Sequence, residues 1–433
     1  MKDRKIFSRR RFLAFCASTL FWLEWGSWPQ LASAAKAGES GLLHPVKKSR
    51  GKLQVDALRQ LITADSSQSR FLMCQSDRLY AGMYVEYRLP GAADAWRAEV
   101  SYDYFTDRDF SCYFYQTMLR GLQPKLTYEY RFFCDGYATE WKTLQTAGSG
   151  AFKALLFPDS QCVDYGCWGN LAQAAFRRNP DAGFFVNLGD LVDNGEAPWQ
   201  WDAWLDGAAG IIDRIPLAAV MGNHEAYSLE WQYCLPKFFL RMFYFPDNQS
   251  QRFPGYYYSF DYGAVHFIVL NTQFEEIDGL QPGLEKEQLL WLEADRKKSR
   301  KKWNIVLMHR DIFTYEPDPK TGKYGGFSDI GKMFMPVFDS MEIDLVLTGH
   351  LHTYRNRGHI YNFAPAKKGP VYIVSGVAGD VRYPDIWIDP AFDHVVAPQP
   401  ETDNYMTLEA DEHRLLVRSF LPDGREIDRM QLT

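Results

Sequence analysis

Short apolar runs alternate with longer amphipathic segments in the second part of the chain, and this alternation constrains the fold more than any other feature. The runs are three to six residues long and lie at 154–157, 183–188, 216–221, 265–270, 304–308, 345–347 and 371–374. Helix-like segments separate several of them and lie at 168–178, 199–212 and 285–300. Buried strands that alternate with helices are typical of α/β proteins whose sheets are covered by helices. The sequence therefore predicts an α/β domain over residues 151–433.

The preceding segment, residues 52–147, shows a different pattern. Its alternating apolar segments lie at 70–75, 83–89, 96–100, 110–118 and 127–134, with turn signals between them. Short alternating strands of this kind predict a small all-β sandwich. The stretch from Leu119 to Arg131 reads LRGLQPKLTYEYR, which resembles the tyrosine-containing corner of fibronectin type III domains. A tyrosine-rich strand of some other sandwich is the alternative.

The first 34 residues have the features of an export signal. Residues 8–13 read SRRRFL, a twin-arginine pattern, and a short apolar stretch at 12–23 precedes the small residues Ala32-Ser33-Ala34. The stretch is shorter than the roughly 20 residues that a membrane span needs. We therefore expect a twin-arginine signal peptide over 1–34, a linker over 35–51, and a periplasmic or secreted protein without a stable membrane span. The twin-arginine translocase would be a partner during export, and an uncleaved anchor is the alternative.

Charge and cysteine content narrow the possible partners. The chain carries a net charge of −6, and removal of the predicted signal, with its six Lys/Arg and two Asp/Glu, leaves −10. An acidic protein is poorly suited to a nucleic-acid backbone, so no nucleic-acid partner is expected.

Export permits disulfides, and Cys112 and Cys134, which lie nearly symmetrically about the turn at 121–124, could face each other.

Potential metal ligands follow five of the predicted strands. They are Asp159, Asp190, Asn223 with His224, His309, and His350 with His352. In α/β sheets, ligands bind at the carboxyl ends of the strands. Carboxylates and imidazoles suit Fe, Zn or Mn, and two ions about 3.5–4 Å apart can clamp a phosphate and activate water. The sequence therefore predicts a site for two divalent or trivalent metal ions.

The ordered motifs GD at 189–190, GNHE at 222–225 and GHLH at 349–352, together with Asp159 and His309, resemble the calcineurin-like metallophosphoesterase superfamily. The β sandwich in front of them makes the chain most similar to the purple acid phosphatase branch, whose catalytic domain follows a fibronectin-like domain. The resemblance implies a four-layer α/β catalytic domain, with β-sheets flanked by helices. It also implies a hydrolase that cleaves phosphate esters.

The same resemblance assigns a role to each matching residue. The implied ligands are Asp159 and His352 for the first metal, Asn223, His309 and His350 for the second, and Asp190 as a bridge between both. The resemblance implies that His224 binds no metal and protonates the leaving group as a general acid.

Two positions depart from the family's pattern. The first motif often reads D-x-H, whereas this chain has Gln161 two residues after Asp159. Gln161 either gives an amide oxygen to the first metal or only lines the loop. The purple acid phosphatases have a Tyr three residues after the bridging Asp, where this chain has Asp193. We therefore expect that the purple charge-transfer colour is absent.

Asp193 has two interpretations. It either replaces that Tyr as a ligand or orients His224, as the similar G-D-x-V-D-x-G motif of serine/threonine phosphoprotein phosphatases implies, and we favour the second. A carboxylate beside an imidazole favours the protonated form, which suits a general acid. Arg310, directly after His309, either contacts the substrate phosphate or forms a structural ion pair. His266 lies in a strand pattern and is expected to be a core or edge residue.

Phosphate-ester hydrolysis is the leading functional hypothesis, with a small-molecule monoester as the favoured substrate. A phosphodiesterase or nucleotide hydrolase on the same site is the nearest alternative. The alkaline phosphatase family with an iron–calcium centre also carries an N-terminal sandwich but needs a cysteine metal ligand, and the GNHE and GHLH motifs argue against it. The alternative from another class is an inactive envelope binding module, which the complete ligand set of the second metal disfavours.

Overall fold

The computed structural model describes residues 43–314, 325–383, 386–397 and 402–433. The predicted signal peptide and the first part of the predicted linker lie outside these residues. Within the described part of the chain, no helix is long and apolar enough to cross a membrane.

The N-terminal part consists of short strands in two facing sheets. Its strands are β1 His44–Pro45, β2 Gly51–Lys52, β3 Asp56–Leu61, β4 Ser69–Ser76, β5 Tyr84–Arg88, β6 Asp94–Glu99, β7 Ser101–Asp107, β8 Phe110–Arg120, β9 Thr127–Cys134, β10 Tyr137–Ala138 and β11 Lys142–Gln145. One sheet has the order β1-β6-β5-β9-β10-β2 with β11 on β9, and the other contains β3, β4, β8 and β7. Val85, Tyr115 and Phe132 are buried in the core that both sheets share, as expected for the predicted β domain.

The second part contains the remaining strands and all helices of eight or more residues in the described chain. The strands are β12 Phe152–Phe157, β13 Phe184–Asn187, β14 Leu217–Ala219, β15 Tyr258–Tyr262, β16 Val265–Val269, β17 Trp303–Leu307, β18 Leu345–Thr348, β19 Tyr354–Tyr361, β20 Ala364–Pro365, β21 Val371–Ser375, β22 Val395–Val396, β23 Tyr405–Ala410, β24 Leu415–Phe420 and β25 Glu426–Leu432. The helices are α1 Gly166–Arg178, α2 Pro198–Gly207, α3 Lys237–Met242, α4 Phe274–Ile277, α5 Leu284–Lys298 and α6 Asp329–Ser340.

Alternate residues of the strands face two different cores, which defines the layers. In β16, Phe267 belongs to the large central core, whereas Ile268 belongs to a separate core with Leu292 of α5 and Phe334 of α6. On the opposite side, Trp168 of α1 and Trp204 of α2 stack with ring centroids 5.3 Å apart. Because side chains alternate across a strand, the two sheets pack face to face with helices outside each. This arrangement agrees with the four-layer expectation.

The β domain and the α/β domain share one sheet. The ten-stranded order is β25-β24-β23-β12-β13-β14-β3-β4-β8-β7, and β14 pairs in parallel with β3 through Leu217 and Leu61. The sequence boundary between 147 and 151 therefore separates two cores but not two sheets. His44–Pro45, placed in the predicted linker, pairs with β6, so the later part of that segment belongs to the β domain.

The predicted approach of Cys112 and Cys134 is wrong. The turn at 121–124 joins β8 to β9, and these strands lie in opposite sheets rather than in one hairpin. Cys112 donates to the Ser76 carbonyl and Cys134 to the Ala81 carbonyl, and both thiols are free.

His266 is a buried core residue, as expected, and it carries a network of its own. Its Nδ1 lies 2.7 Å from Asp261 Oδ1 and its Nε2 lies 2.9 Å from Asp295 Oδ2. Burial opposes protonation, but the hydrogen bonds to the two carboxylates outweigh it and raise the pKa of His266 to about 9.

Candidate metal centre

The predicted ligands meet where the carboxyl ends of the two facing sheets converge. In the ten-stranded sheet, β12, β13 and β14 are parallel and lead to Asp159, Asp190 and Asn223. In the eight-stranded sheet, β17 and β18 are parallel and lead to His309 and to His350 with His352. Since parallel strands end at the same edge, each sheet delivers its ligands to one side of the domain.

Two groups of ligand atoms form at this edge, and Asp190 belongs to both. One group contains Asp190, His309 and His350, the other contains Asp159, Asp190 and His352, and the atoms of each group lie within 4.8 Å of one another. The predicted Asn223 adds its Oδ1, 3.1 Å from His309 Nε2. The structure thus brings all six predicted ligands together, and Asp190 is the residue that two ions would share.

Backbone carbonyls fix the orientation of two of the imidazole ligands. His309 Nδ1 donates to the Leu188 carbonyl at 3.0 Å, and His352 Nδ1 donates to the Val381 carbonyl at 2.9 Å. Each bond selects the tautomer that leaves Nε2 free for a metal, an arrangement that metal-binding histidines commonly use. His309 Nε2 consequently lies 3.1 Å from Asp190 Oδ2.

Three of the ligands have left-handed backbone conformations. Asp190, His350 and His352 have φ values of 48°, 73° and 50°. Such values are uncommon for residues other than glycine and cluster at functional sites. Gly222 permits the close approach to Asp190, because a Cβ at position 222 would lie 2.1 Å from Asp190 Oδ1.

Glu225 holds the loops together, a role that the sequence analysis missed. The side chain is buried and accepts four backbone hydrogen bonds. Its Oε1 accepts from Leu191 at 2.8 Å and Val192 at 3.4 Å, and its Oε2 accepts from Asp190 at 3.0 Å and Gly222 at 2.7 Å. The feature of the sequence that points to this role is the position of Glu225 directly after His224 in the GNHE motif. Glu225 therefore ties the loop of the bridging ligand to the loop of Asn223.

The charges of the site suit cation binding. Burial would raise the pKa of the Asp190 carboxyl, but the imidazoles of His309 and His224 hold it below its usual range. Burial would lower the pKa of His309, but Asp190 and Asp159 raise it to about 9. Burial and the positive charges of His309 and Arg310 hold the pKa of His350 well below its usual value. The carboxylates thus need a positive partner, and a metal ion would replace the proton of His309.

Two buried atoms without hydrogen-bond partners support a fit to metal ions. They are His352 Nε2 and Gln161 Oε1, both on the side of Asp159. Buried polar atoms are normally paired, and an ion at this position would satisfy both. With its oxygen and imidazole nitrogen donors, the site fits Fe, Zn or Mn. Gln161 Nε2 also lies 3.4 Å from His224 Nε2, so both interpretations of Gln161 stay open.

His224 is oriented by Asp193, but mainly through the main chain. Its Nδ1 donates to the Asp193 carbonyl at 2.7 Å, whereas the nearest Asp193 carboxylate oxygen is 3.7 Å away. Asp193 belongs to neither ligand group within the described residues. The contacts therefore agree with the orienting role and not with a replacement for the missing tyrosine ligand.

Arg310 is engaged in structural contacts. Its Nε donates to Gln273 Oε1 at 3.0 Å, and its NH2 group forms an ion pair with Glu276, whose side chain is buried. These contacts form the structural ion pair that is one of the two interpretations of Arg310, and contact with the substrate phosphate stays a prediction.

The fold and the site are those expected of a phosphoesterase domain that binds two metal ions, and comparison with known proteins finds relatives of this class. Residues 152–354 match the family of calcineurin-like phosphoesterases. Purple acid phosphatase 23 of Arabidopsis thaliana is 28% identical over 190 residues, which cover 43% of this chain and 39% of that protein. Purple acid phosphatase 21 of the same plant is 27% identical over 321 residues, 70% of this chain and 67% of that protein.

Solved structures show the same fold. Purple acid phosphatase PPD1 from yellow lupin (Lupinus luteus) seeds superimposes with a TM-score of 0.73 at 18% identity, covering 88% of this chain and 74% of that chain. PhoD superimposes with a TM-score of 0.61 at 13% identity, covering 86% and 91%. Residues 152–354 are therefore similar to calcineurin-like phosphoesterases, and the chain is similar to purple acid phosphatases in sequence and fold. It spans only about two fifths to two thirds of the length of the two Arabidopsis relatives.

Proposed function

We propose that the protein hydrolyses phosphate esters at a two-metal centre and prefers monoesters. The observation that carries the proposal is the shared position of Asp190, which belongs to two groups of ligand atoms that each lie within 4.8 Å. Two ions held there would neutralise phosphate charge and lower the pKa of a water molecule. The monoester preference is supported by the similarity to purple acid phosphatases.

His224 would supply the proton that the leaving oxygen needs. Its Nδ1–H donates to the Asp193 carbonyl at 2.7 Å, so Nε2, which lies 3.4 Å from Gln161 Nε2, is the nitrogen that faces the site. Nε2 lies 3.9 Å from Asp190 Oδ2, which places the imidazole beside the ligand that both groups share. A general acid must be protonated before the reaction and within reach of the leaving oxygen. Among the described residues of the site, His224 is an imidazole that belongs to neither ligand group, and it is therefore our candidate for this role.

Parallel assays would test the proposal. Purified protein loaded with Fe, Zn or Mn would be given an aryl phosphate monoester and the corresponding diester across pH, with metal content measured by elemental analysis. We expect two metals per chain, faster monoester cleavage, loss of metal in the Asn223→Ala/His309→Ala double variant, and loss of turnover with retained metal in His224→Ala. The exposed His413→Ala is the matched control. Full activity of His224→Ala would contradict the assignment, faster diester cleavage would favour the phosphodiesterase alternative, and two bound metals without cleavage would favour the inactive binding module.

We further propose that the metals are Fe, Zn or Mn and that their complex is not purple. The position of the family's tyrosine ligand holds Asp193, which contacts His224 instead. An absorption spectrum of iron-loaded protein would test this, because a tyrosinate charge-transfer band would contradict it.

We also propose that the β domain is fibronectin-like and that the protein is exported by the twin-arginine translocase to the periplasm or beyond. The first proposal is supported by Tyr128, whose hydroxyl accepts from the Gln123 backbone N–H at 3.0 Å, as the tyrosine corner of such sandwiches does. The second is supported by the residues 8–13, SRRRFL. Replacement of Arg9 and Arg10 by Lys should retain the protein in the cytoplasm, and unchanged export would contradict the route.

A further inference from the structure

We propose that Tyr227 and Trp231 form a stacking platform for the leaving group, so that the preferred esters carry an aromatic ring on their alcohol. This inference rests on the proposed function and adds a substrate class to it. It concerns residues outside the ligand set, in the segment that follows the GNHE motif.

The two rings stand directly beside the proposed general acid. The ring centroids of His224 and Tyr227 are 5.4 Å apart, those of His224 and Trp231 are 5.9 Å apart, and both pairs are edge-on at 89°. Tyr227 and Trp231 are themselves 5.9 Å apart. A general acid must reach the leaving oxygen, so the group attached to that oxygen lies within contact of these rings.

Trp231 is exposed although it is the type of side chain that folding normally buries. It is 54% exposed, and its backbone has φ 57°. A left-handed conformation is unfavourable for a bulky residue, and such strain persists where the surroundings enforce it, often at functional sites. An exposed indole in an unfavourable conformation beside the catalytic imidazole is explained by a ligand that covers it.

The loop that carries Trp231 is fixed by specific contacts. Trp231 N–H donates to the Ser228 carbonyl and Ser228 N–H donates to the Gln232 carbonyl, both at 2.8 Å. Arg108, in the turn between β7 and β8 of the β domain, forms ion pairs with Glu230 at 3.1 Å and with Glu196 at 3.0 Å. The platform is therefore preorganised, and part of its support comes from the β domain.

The charge of the site explains why an apolar contact would supply selectivity here. The ligand set contains the carboxylates of Asp159 and Asp190. The surface around Trp231 adds Glu230 and Glu196, two carboxylates that share the single guanidinium of Arg108. A second anionic group on the substrate would be repelled there. A neutral aromatic ring gains from stacking, which contributes roughly ten- to a hundredfold in affinity where it is fully formed.

The experiment compares two esters with similar leaving oxygens, benzyl phosphate and ethyl phosphate, on metal-loaded protein. We expect the wild type to prefer benzyl phosphate. Trp231→Ala should lower kcat/KM for benzyl phosphate about tenfold and leave ethyl phosphate within about twofold. Trp231→Phe should retain most of the preference for benzyl phosphate over ethyl phosphate. Metal content and melting temperature of each variant show whether the site and the fold are intact.

Trp199→Ala is the matched control. Trp199 is 60% exposed and lines an open groove of about 1020 Å³ that also contacts Asp193. A loss of benzyl selectivity in Trp199→Ala but not in Trp231→Ala would place the leaving group in that groove and overturn the platform. Equal losses for both esters in Trp231→Ala would also overturn it, since the ring would then only support His224. If the wild type cleaves neither ester, the proposed function itself fails; if it cleaves both with equal efficiency, only the platform fails.

Discussion

Replacement of Glu225 by Gln should damage both folding and metal binding, because the carboxylate accepts four backbone hydrogen bonds. Oε1 accepts hydrogen bonds from the backbone N–H groups of Leu191 and Val192. Oε2 accepts hydrogen bonds from the backbone N–H groups of Asp190 and Gly222. A glutamine has one acceptor oxygen, and its NH2 group would face two N–H donors. Each buried donor left without a partner costs about 1–3 kcal/mol. We therefore expect the free energy of unfolding to fall by about 2–6 kcal/mol.

Urea unfolding of metal-free protein would measure this loss, because bound metal would add its own stabilisation. Metal titration of the same variant would show weaker binding, since the loop that carries Asp190 loses an anchor. Glu412, an exposed residue, provides the control variant Glu412→Gln. A Glu225→Gln protein that unfolds within about 1 kcal/mol of the wild type and binds both metals normally would refute the reasoning.

Three further perturbations test other parts of the structure. The folded-state pKa of His266, about 9, exceeds its usual value near 6.5, so its stabilisation is complete below pH 6.5 and is lost as pH rises through 9. The free energy of unfolding should fall by about 3 kcal/mol over that interval, and His266→Gln should lack this fall; an identical pH profile would count against the network. Asp193→Asn should keep both metals and lower turnover only about fivefold, because its carbonyl still orients His224, whereas loss of one metal would indicate a ligand. Gly222→Ala should lose metal, since its Cβ would lie 2.1 Å from Asp190 Oδ1, and Gly150→Ala, whose Cβ would meet nothing within 4 Å, should not.

The strand ends were predictable from the sequence because short apolar runs stop where polar ligands begin. The position of strand β3 was not predictable from the sequence, because its Arg59 and Gln60 are polar residues that are buried in the structure. Arg59 donates to the Met242 carbonyl at 2.8 Å and Gln60 to the Asp213 carbonyl at 3.0 Å. Both partners lie in the α/β domain, more than 150 positions away along the chain. A local sequence pattern contains no information about partners so far away along the chain. The sequence therefore does not predict that the β domain and the α/β domain share one sheet.

The loop after β21 supplies contacts within the site that could not be predicted from the sequence either. In the structure it supplies the Val381 carbonyl that orients His352, and Tyr383, whose ring stacks on His352 with centroids 4.4 Å apart. A backbone carbonyl carries no residue signature, and a lone tyrosine in a loop carries a weak one. Residues that bind through side chains were therefore predictable, whereas the Val381 carbonyl and Tyr383, which contact His352, were not.

The two metal positions are unequal, and the structure shows why. The second position has three ligands of its own, Asn223, His309 and His350, while the first has only Asp159 and His352, with Asp190 shared. Asp193 does not supply a third ligand to the first position, because its backbone carbonyl and its carboxylate both face His224. Among the described residues on that side, Gln161 Oε1 is buried without a hydrogen-bond partner, and a neutral amide attracts a cation less strongly than a carboxylate or a tyrosinate. We therefore expect the first position to bind its metal more weakly and to exchange it first during dialysis against a chelator.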